Sequence, residues 1–173
     1  MGHLDHLGVK NIRKDYKTWN MVTKAVRYLD NRIREDYDWL KKHSSDMEKD
    51  HLNYTVIQYL YARSYFLKDV KVNDRNKEAY DYYLNQSKKY WLNKSKYMQG
   101  MIALALNRNK SSNTGIQVED KIIASLKENA INHEELGMYW KDNNGGYYWY
   151  QAPIETQALL IEAFDEVVED KES

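Results

Sequence analysis

The chain has no cysteine, one proline (Pro153) and seven glycines in 173 residues. Without cysteine there is no disulfide, no thiolate metal site and no thiol nucleophile. A cysteine-free chain suits cytosol and periplasm alike. The formal net charge is zero, from 26 Lys+Arg against 26 Asp+Glu, so electrostatics give no reason to expect nucleic acid or an anionic membrane as partner. No apolar run approaches the roughly 18 residues that a membrane span needs, and no signal-peptide pattern opens the chain. Walker, Rossmann and Gly-x-Ser-x-Gly patterns are missing as well, which removes the nucleotide-binding and serine-hydrolase readings.

What is present is helical periodicity. The 30% of charged residues are mixed in sign, as on solvated helix faces. Trp19, Val22, Val26, Leu29, Ile33, Tyr37 and Leu40 step by three or four and predict an amphipathic helix over 19–40. Ser45–Glu48 reads as a capping box opening a helix to about Lys68, with Leu52, Val56, Tyr59, Leu60, Arg63, Phe66 and Leu67 on its face. Asn73 or Asp74 can cap a third helix carrying Ala79, Tyr80, Tyr83, Leu84, Tyr90 and Trp91. Met101–Leu106 is nearly all apolar and should be the most buried segment, with a polar loop over 107–113. Thr114–Gln117 is a second capping box, ahead of Val118, Ile122, Leu126 and Ala130. Pro153 fits the first position of a last helix presenting Ile154, Ala158, Ile161, Phe164, Val167 and Val168. The expectation is one all-α domain over 1–173. Its first residues, His3–Gly8, look like the last turn of a helix, as if cut from a longer polypeptide.

The chain also repeats itself. Tyr90-Trp91 precedes Gln99 and Ala105 by the same distances at which Tyr148-Trp149 precedes Gln157 and Ala163, an offset of 58 residues. That period fits two helices with their connections, so neighbouring helical hairpins would bury their apolar faces on one another. Chance likeness between two apolar helices is the competing explanation.

An aromatic segment leads into the second copy and includes its Tyr148-Trp149. Met138-Tyr139-Trp140 and Tyr147-Tyr148-Trp149-Tyr150 bracket Lys-Asp-Asn-Asn-Gly-Gly, which predicts a short hairpin or ordered loop near 138–150. Trp140, Tyr147, Tyr148, Trp149 and Tyr150, with Glu155 and Gln157 at the start of the last helix, are the candidate partner-binding or domain-contact residues. Aromatics beside a carboxylate can grip a sugar or raise its proton affinity, so Glu155 is also the best enzyme-like residue. Its place in a first helical turn offers a plainer role, complementing the helix dipole. His3 and His6 flanking Asp5 could ligate a metal, but a frayed terminus is a poor site. His133-Glu134-Glu135 lacks the second histidine of a zinc helix, and His43 and His51 stand apart.

Tyr90-Trp91, Tyr97–Gly100, Ala124–Ala130, Glu135–Trp140 and especially Gln151-Ala-Pro-Ile-Glu-Thr-Gln-Ala-Leu159 resemble bacterial alpha-2-macroglobulin-like proteins. The likeness is to the large Bacteroidetes type, within the thioester, or complement-like, domain. It implies an α/α toroid of helical hairpins, of which this chain would form the C-terminal half. It also implies a part in a protease trap that is cleaved at a bait segment and cages the protease. The partners would be other domains of the parent polypeptide and, through it, target proteases, in the periplasm or cell envelope. The thioester of that family joins a cysteine to a glutamine within Cys-x-Glu-Gln. With no cysteine here, Gln58, Gln99 and Gln157 cannot be its acyl half, and such a motif would lie upstream of Met1. The resemblance therefore implies a non-enzymatic piece with no catalytic residue, metal or cofactor. Two other readings stand beside it: a carbohydrate- or isoprenoid-processing toroid using Glu155, and a generic helical-repeat binding module.

Overall fold

The computed structural model describes residues 1–9, 11–110, 117–141 and 152–169. The fold is all-α, with one small two-stranded sheet among the described residues. The chain forms two compact units, Met1–Lys89 and Tyr90–Ser173.

In the first unit a short helix α1 (Gly2–His6) is followed by α2 (Tyr16–His43), α3 (Tyr54–Ser64) and most of α4 (Asp74–Tyr90). Gly8 at φ +70° ends the first turn, a left-handed position that glycine adopts without strain. Asp15 starts α2 by accepting the Lys17 N–H at 3.1 Å. The buried face of α2 is Val22, Val26, Asp30, Ile33 and Tyr37. Leu29, expected on that stripe, is 41% exposed. Asp30 takes the neighbouring inward place because α3 offers it a cation, Arg63, and a hydroxyl, Tyr59.

The expected start of α3 is displaced. Ser45–Glu48 is not a helix cap: Ser44 Oγ accepts the Asp46 N–H and Asp46 Oδ1 accepts the Glu48 N–H, folding these residues into side-chain-closed turns. Asn53 caps instead, accepting the Val56 N–H at 3.0 Å, and the helix ends at Ser64, short of Lys68. From α4, Gln86 accepts the His51 N–H and the Tyr82 hydroxyl donates to the Met47 carbonyl, which pins the connecting segment. The reading of Asn73 as a cap holds: its Oδ1 accepts the Arg75 N–H.

The second unit begins at the end of α4 and a single 3-10 turn, Trp91–Asn93, and continues with α5 (Lys96–Arg108) and α6 (Val118–Glu128). Strands β1 (Ile131–His133) and β2 (Gly137–Tyr139) and helix α7 (Pro153–Glu169) complete it. Met101–Leu106 is as deeply buried as its composition demands, each residue at 4% exposure or less. The cap of α6 lies three residues later than expected, with Asp120 Oδ2 accepting the Gln117 N–H; positions 114–116 are outside the described residues. Pro153 does open α7.

Packing in this unit follows the repeat. Leu159 and Leu160 close on Gly100, where an added Cβ would meet Leu160 Cδ2 at 3.1 Å. Seven and eight residues along α5 from Gly100, Asn107 Nδ2 donates to the Glu166 carbonyl and Arg108 pairs with Glu162 and Glu166. The partners keep a nearly constant sequence offset near the repeat length, so α5 and α7 run parallel. Equivalent helices of successive hairpins pack side by side.

The last helix departs from expectation in which stripe it buries. Thr156, Leu159, Leu160, Ala163 and Val167 are inside, whereas Ile154, Ile161 and Val168 are 81%, 62% and 42% exposed. Apolar residues occupy most rungs of this helix, so periodicity alone left the inward face open, and contact with α5 selects it.

Candidate functional site

The described candidate residues, Trp140, Glu155 and Gln157, lie just after β2 and in the first turns of α7. Strands β1 and β2 pair antiparallel, Ile131 opposite Tyr139 and His133 opposite Gly137. Their three-residue loop, Glu134–Leu136, closes with Gly137 at φ +70°, the glycine-favoured position of such turns. His133 Nδ1 accepts the Glu135 and Leu136 N–H groups at 3.2 and 3.3 Å, so this histidine organises the turn. A hairpin thus lies at 131–139; most of the 138–150 segment, where a short hairpin or ordered loop was expected, lies outside the described residues. Tyr147, Tyr148, Trp149 and Tyr150 lie outside the described residues.

Trp140 follows β2 and points inward. It is 3% exposed, its ring lies 6.2 Å from Phe164, and its Nε1–H donates to the Leu126 carbonyl at 2.8 Å. That carbonyl is in the last turn of α6, where no helical donor remains, so the indole satisfies an otherwise orphaned acceptor. Trp140 is thus a link between α6 and α7.

Gln157 makes the corresponding link to the hairpin: its Nε2 donates to the Met138 carbonyl at 3.0 Å. Its repeat equivalent behaves alike. Gln99 Nε2 donates to the Lys94 carbonyl at 2.8 Å and to Leu92 at 3.3 Å. Each glutamine reaches back from the start of its helix to the backbone that precedes it. The two use the same amide for a preceding carbonyl, Gln99 five and seven residues back and Gln157 nineteen residues back on β2.

Glu155 is exposed in the first turn of α7. Its negative charge there complements the positive helix end. Tyr97 of α5 lies near it: burial chiefly, then the charges of Glu155 and Glu162, raise the Tyr97 hydroxyl above its usual range. The sequence reading missed the ion-pair cluster beside it. Arg108 Nε donates to Glu166 Oε2 at 2.8 Å, and Nη2 donates to Glu162 Oε1 at 2.8 Å and to Glu166 Oε1. All three side chains are 16% exposed or less. Two glutamates four apart on α7, with an arginine 58 before the second, were the available signal.

Comparison with known proteins identifies no relative: no family model, curated protein or solved structure matches the chain. The chemistry must therefore be read from the side chains themselves.

The first unit offers two further features. Asp30 and Arg63 form an ion pair, Nε to Oδ1 2.9 Å, with side chains 3% and 1% exposed. Tyr59 donates to the same oxygen at 2.7 Å, and Arg63 Nη2 donates to the Val70 carbonyl at 2.6 Å. Burial and the adjacent Asp30 carboxylate push the Tyr59 hydroxyl far up, and burial raises Tyr80 to about 12. Above this network, a cavity of ≈ 450 Å³ opens between α1, α2 and α3, lined by Met21, Val22, Leu29, Tyr61 and Phe66 among others. Its volume is in the range of ligand pockets, but such pockets also carry convergent polar groups. Arg63 borders it with Nη1 buried and unpartnered, its other contacts being spent on Asp30 and Val70. His3 and His6 both turn to Tyr65, at 6.2 and 5.7 Å between rings. Asp5 accepts the Ile12 N–H and pairs with Arg13. That triplet serves local structure.

Proposed function

We propose that this chain is a non-catalytic scaffold and interaction portion of a bacterial alpha-2-macroglobulin-like endopeptidase inhibitor, working in the periplasm or cell envelope. The reading rests on the resemblance of Gln151–Leu159 and its upstream companions to that family. The observation that supports it best is the matched behaviour of Gln99 and Gln157, each anchoring a helix to the preceding backbone. This makes the most family-like segment a piece of architecture. A protease trap needs such architecture, because a shape change triggered by bait cleavage must be carried by bodies that do not themselves deform.

In this reading the helices belong to an α/α toroid, and the exposed Glu155, with Tyr147–Tyr150, marks a joint that meets other domains, while Trp140 and Gln157 hold its framework from within. The chain supplies no acylating group, since it has no cysteine. Any covalent step would come from elsewhere in the parent protein.

The test is protease capture by the full-length parent protein. After incubation with a panel of endopeptidases, trapped enzyme should co-migrate with the inhibitor, cleave small peptides and fail to cleave large proteins. Absence of cleavage-dependent capture across the panel would overturn the reading. No helix among the described residues is long and apolar enough to cross a membrane.

A further inference from the structure

The cavity of the first unit is walled almost wholly by apolar groups. Val22, Val26 and Phe66 are its buried part, and Met21 and Leu29 stand at its exposed edge. Helix α1 borders it without filling it. None of that helix's residues is buried, yet Gly2 lies so close to Tyr65 that an added Cβ would meet the side chain at 2.9 Å. His3 and His6 rest against the same ring. The helix is therefore held at one side of a space of ≈ 450 Å³ that no side chain occupies. Apolar spaces of about 150 Å³ already take up benzene, and interiors close-pack wherever they can.

One polar group beside this space is unsatisfied. The Tyr61 and Tyr65 hydroxyls bond to each other at 2.6 Å. Arg63 borders the cavity with its side chain 1% exposed. Its Nε is spent on Asp30 and its Nη2 on the Val70 carbonyl, while Nη1 has no acceptor among the described residues. Buried N–H groups are nearly always met by protein, ordered water or a bound molecule, because leaving one unmet is costly. Charge limits what the missing acceptor can be. Asp30 already balances the guanidinium at 2.9 Å, so a carboxylate in the cavity would bring an uncompensated negative charge against apolar walls. A carbonyl oxygen accepts the same hydrogen bond without that cost.

We infer that the cavity between α1, α2 and α3 binds a small apolar ketone or ester, whose carbonyl oxygen takes the hydrogen bond that Arg63 Nη1 offers. Its volume lies in the range of pockets that hold small ligands, and one placed polar group among apolar walls is how such pockets orient them. The inference is independent of the protease-trap reading, which assigns no ligand to this unit: a chain that captures no protease can still bind the ketone.

Three probes of one skeleton, 2-acetylnaphthalene, 2-isopropylnaphthalene and 2-naphthoate, are titrated into the intact chain by calorimetry. The ketone should bind saturably, with a dissociation constant below about 1 mM. It should bind at least about threefold tighter than the isopropyl compound, although that compound is the more hydrophobic, and at least about tenfold tighter than the carboxylate. Ala25→Trp, at an exposed residue that borders the cavity, should weaken ketone binding at least about tenfold by filling the space. Tyr28→Trp, exposed on α2 but outside the lining, should leave it unchanged. Both positions are exposed, so thermal melts should match the parent chain, and the probe series itself needs no variant. No saturable ketone binding would overturn the inference. So would an isopropyl compound that binds as tightly as the ketone, which would remove Arg63 from the site, or a naphthoate that binds tightest. Ketone binding indifferent to Ala25→Trp in a chain of unchanged stability would place the ligand elsewhere and reject this cavity.

Discussion

Removing one member of the Asp30–Arg63 pair should damage the protein far more than removing both. In Arg63→Met, Asp30 keeps only the Tyr59 hydroxyl at 2.7 Å, and the Val70 carbonyl loses its donor. A buried charge stripped of its partner costs about 3–5 kcal/mol. Asp30→Leu should cost a similar amount by leaving the guanidinium unpaired. In the double variant the charges vanish together, and a buried pair replaced by apolar groups of similar volume is often neutral. What remains is a Val70 carbonyl without its donor and a Tyr59 hydroxyl without its acceptor, each at about 1–3 kcal/mol and each also lost in one of the single variants. Urea unfolding followed by circular dichroism measures all three. With a slope of about 2 kcal/mol per molar, each single variant should lose roughly 1.5–2.5 M of midpoint and the double less than either. The coupling energy should therefore exceed about 3 kcal/mol. A double variant as unstable as the sum of the singles would show that Asp30 and Arg63 act separately and refute the reasoning.

Three other outcomes follow from the same geometry. Burial raises Tyr80 and Tyr83 to about 12 and Tyr59 further, above the unfolded value near 10; their contribution is therefore intact below about pH 10 and is lost as pH rises through 10–12. Ultraviolet titration should show these phenolates appearing only with alkaline unfolding, and Tyr80→Phe should flatten the loss of stability by about 2–3 kcal/mol over that window; complete tyrosine ionisation in a folded chain near pH 10 would contradict it. Asn53→Ala should lower stability by about 1 kcal/mol through the lost α3 cap, while Ser45→Ala should stay within about 0.5 kcal/mol; the reverse order in urea midpoints would restore the cap to Ser45. Trp140→Phe keeps the packing against Phe164 but leaves the Leu126 carbonyl unpaired, so a loss of about 1–3 kcal/mol is expected by thermal or urea melts, and a neutral result would show that carbonyl finds water.

Much of the helical plan was legible because it depends on local chemistry. The absence of interior proline, the three–four spacing of Val22, Val26, Ile33 and Tyr37, and the unbroken apolar run at Met101–Leu106 each act over a few residues. The caps were harder, because several side chains compete to bind the same backbone. Ser44 and Asp46 close turns of their own, which leaves the N–H groups of α3 to Asn53. Asp30 was illegible for a different reason. A carboxylate on an apolar stripe reads as an error in phase until Arg63 and Tyr59, 33 and 29 residues away, are brought to it. Long-range neutralisation leaves no mark on local periodicity.

The candidate site divides along the same line. Its architecture was visible as a spacing: the 58-residue offset placed Gln99 and Gln157 in equivalent positions before any contact was known, and both donate to preceding carbonyls. Its inward faces were not visible, because burial depends on what arrives from outside the segment. Trp140 reads as a surface aromatic until the Leu126 carbonyl claims its N–H. Helix α7 makes the point most fully. Ile154, Ala158 and Ile161 form as good an apolar stripe as Leu159, Leu160 and Ala163, and sequence cannot rank two stripes on one helix. Parallel packing on α5 takes the leucine stripe. The other stripe is left exposed, Ile154 at 81% and Ile161 at 62%. A helix with two apolar stripes gives periodicity no means of choosing between them, so the inward face was misassigned until contact with α5 selected Leu159, Leu160 and Ala163.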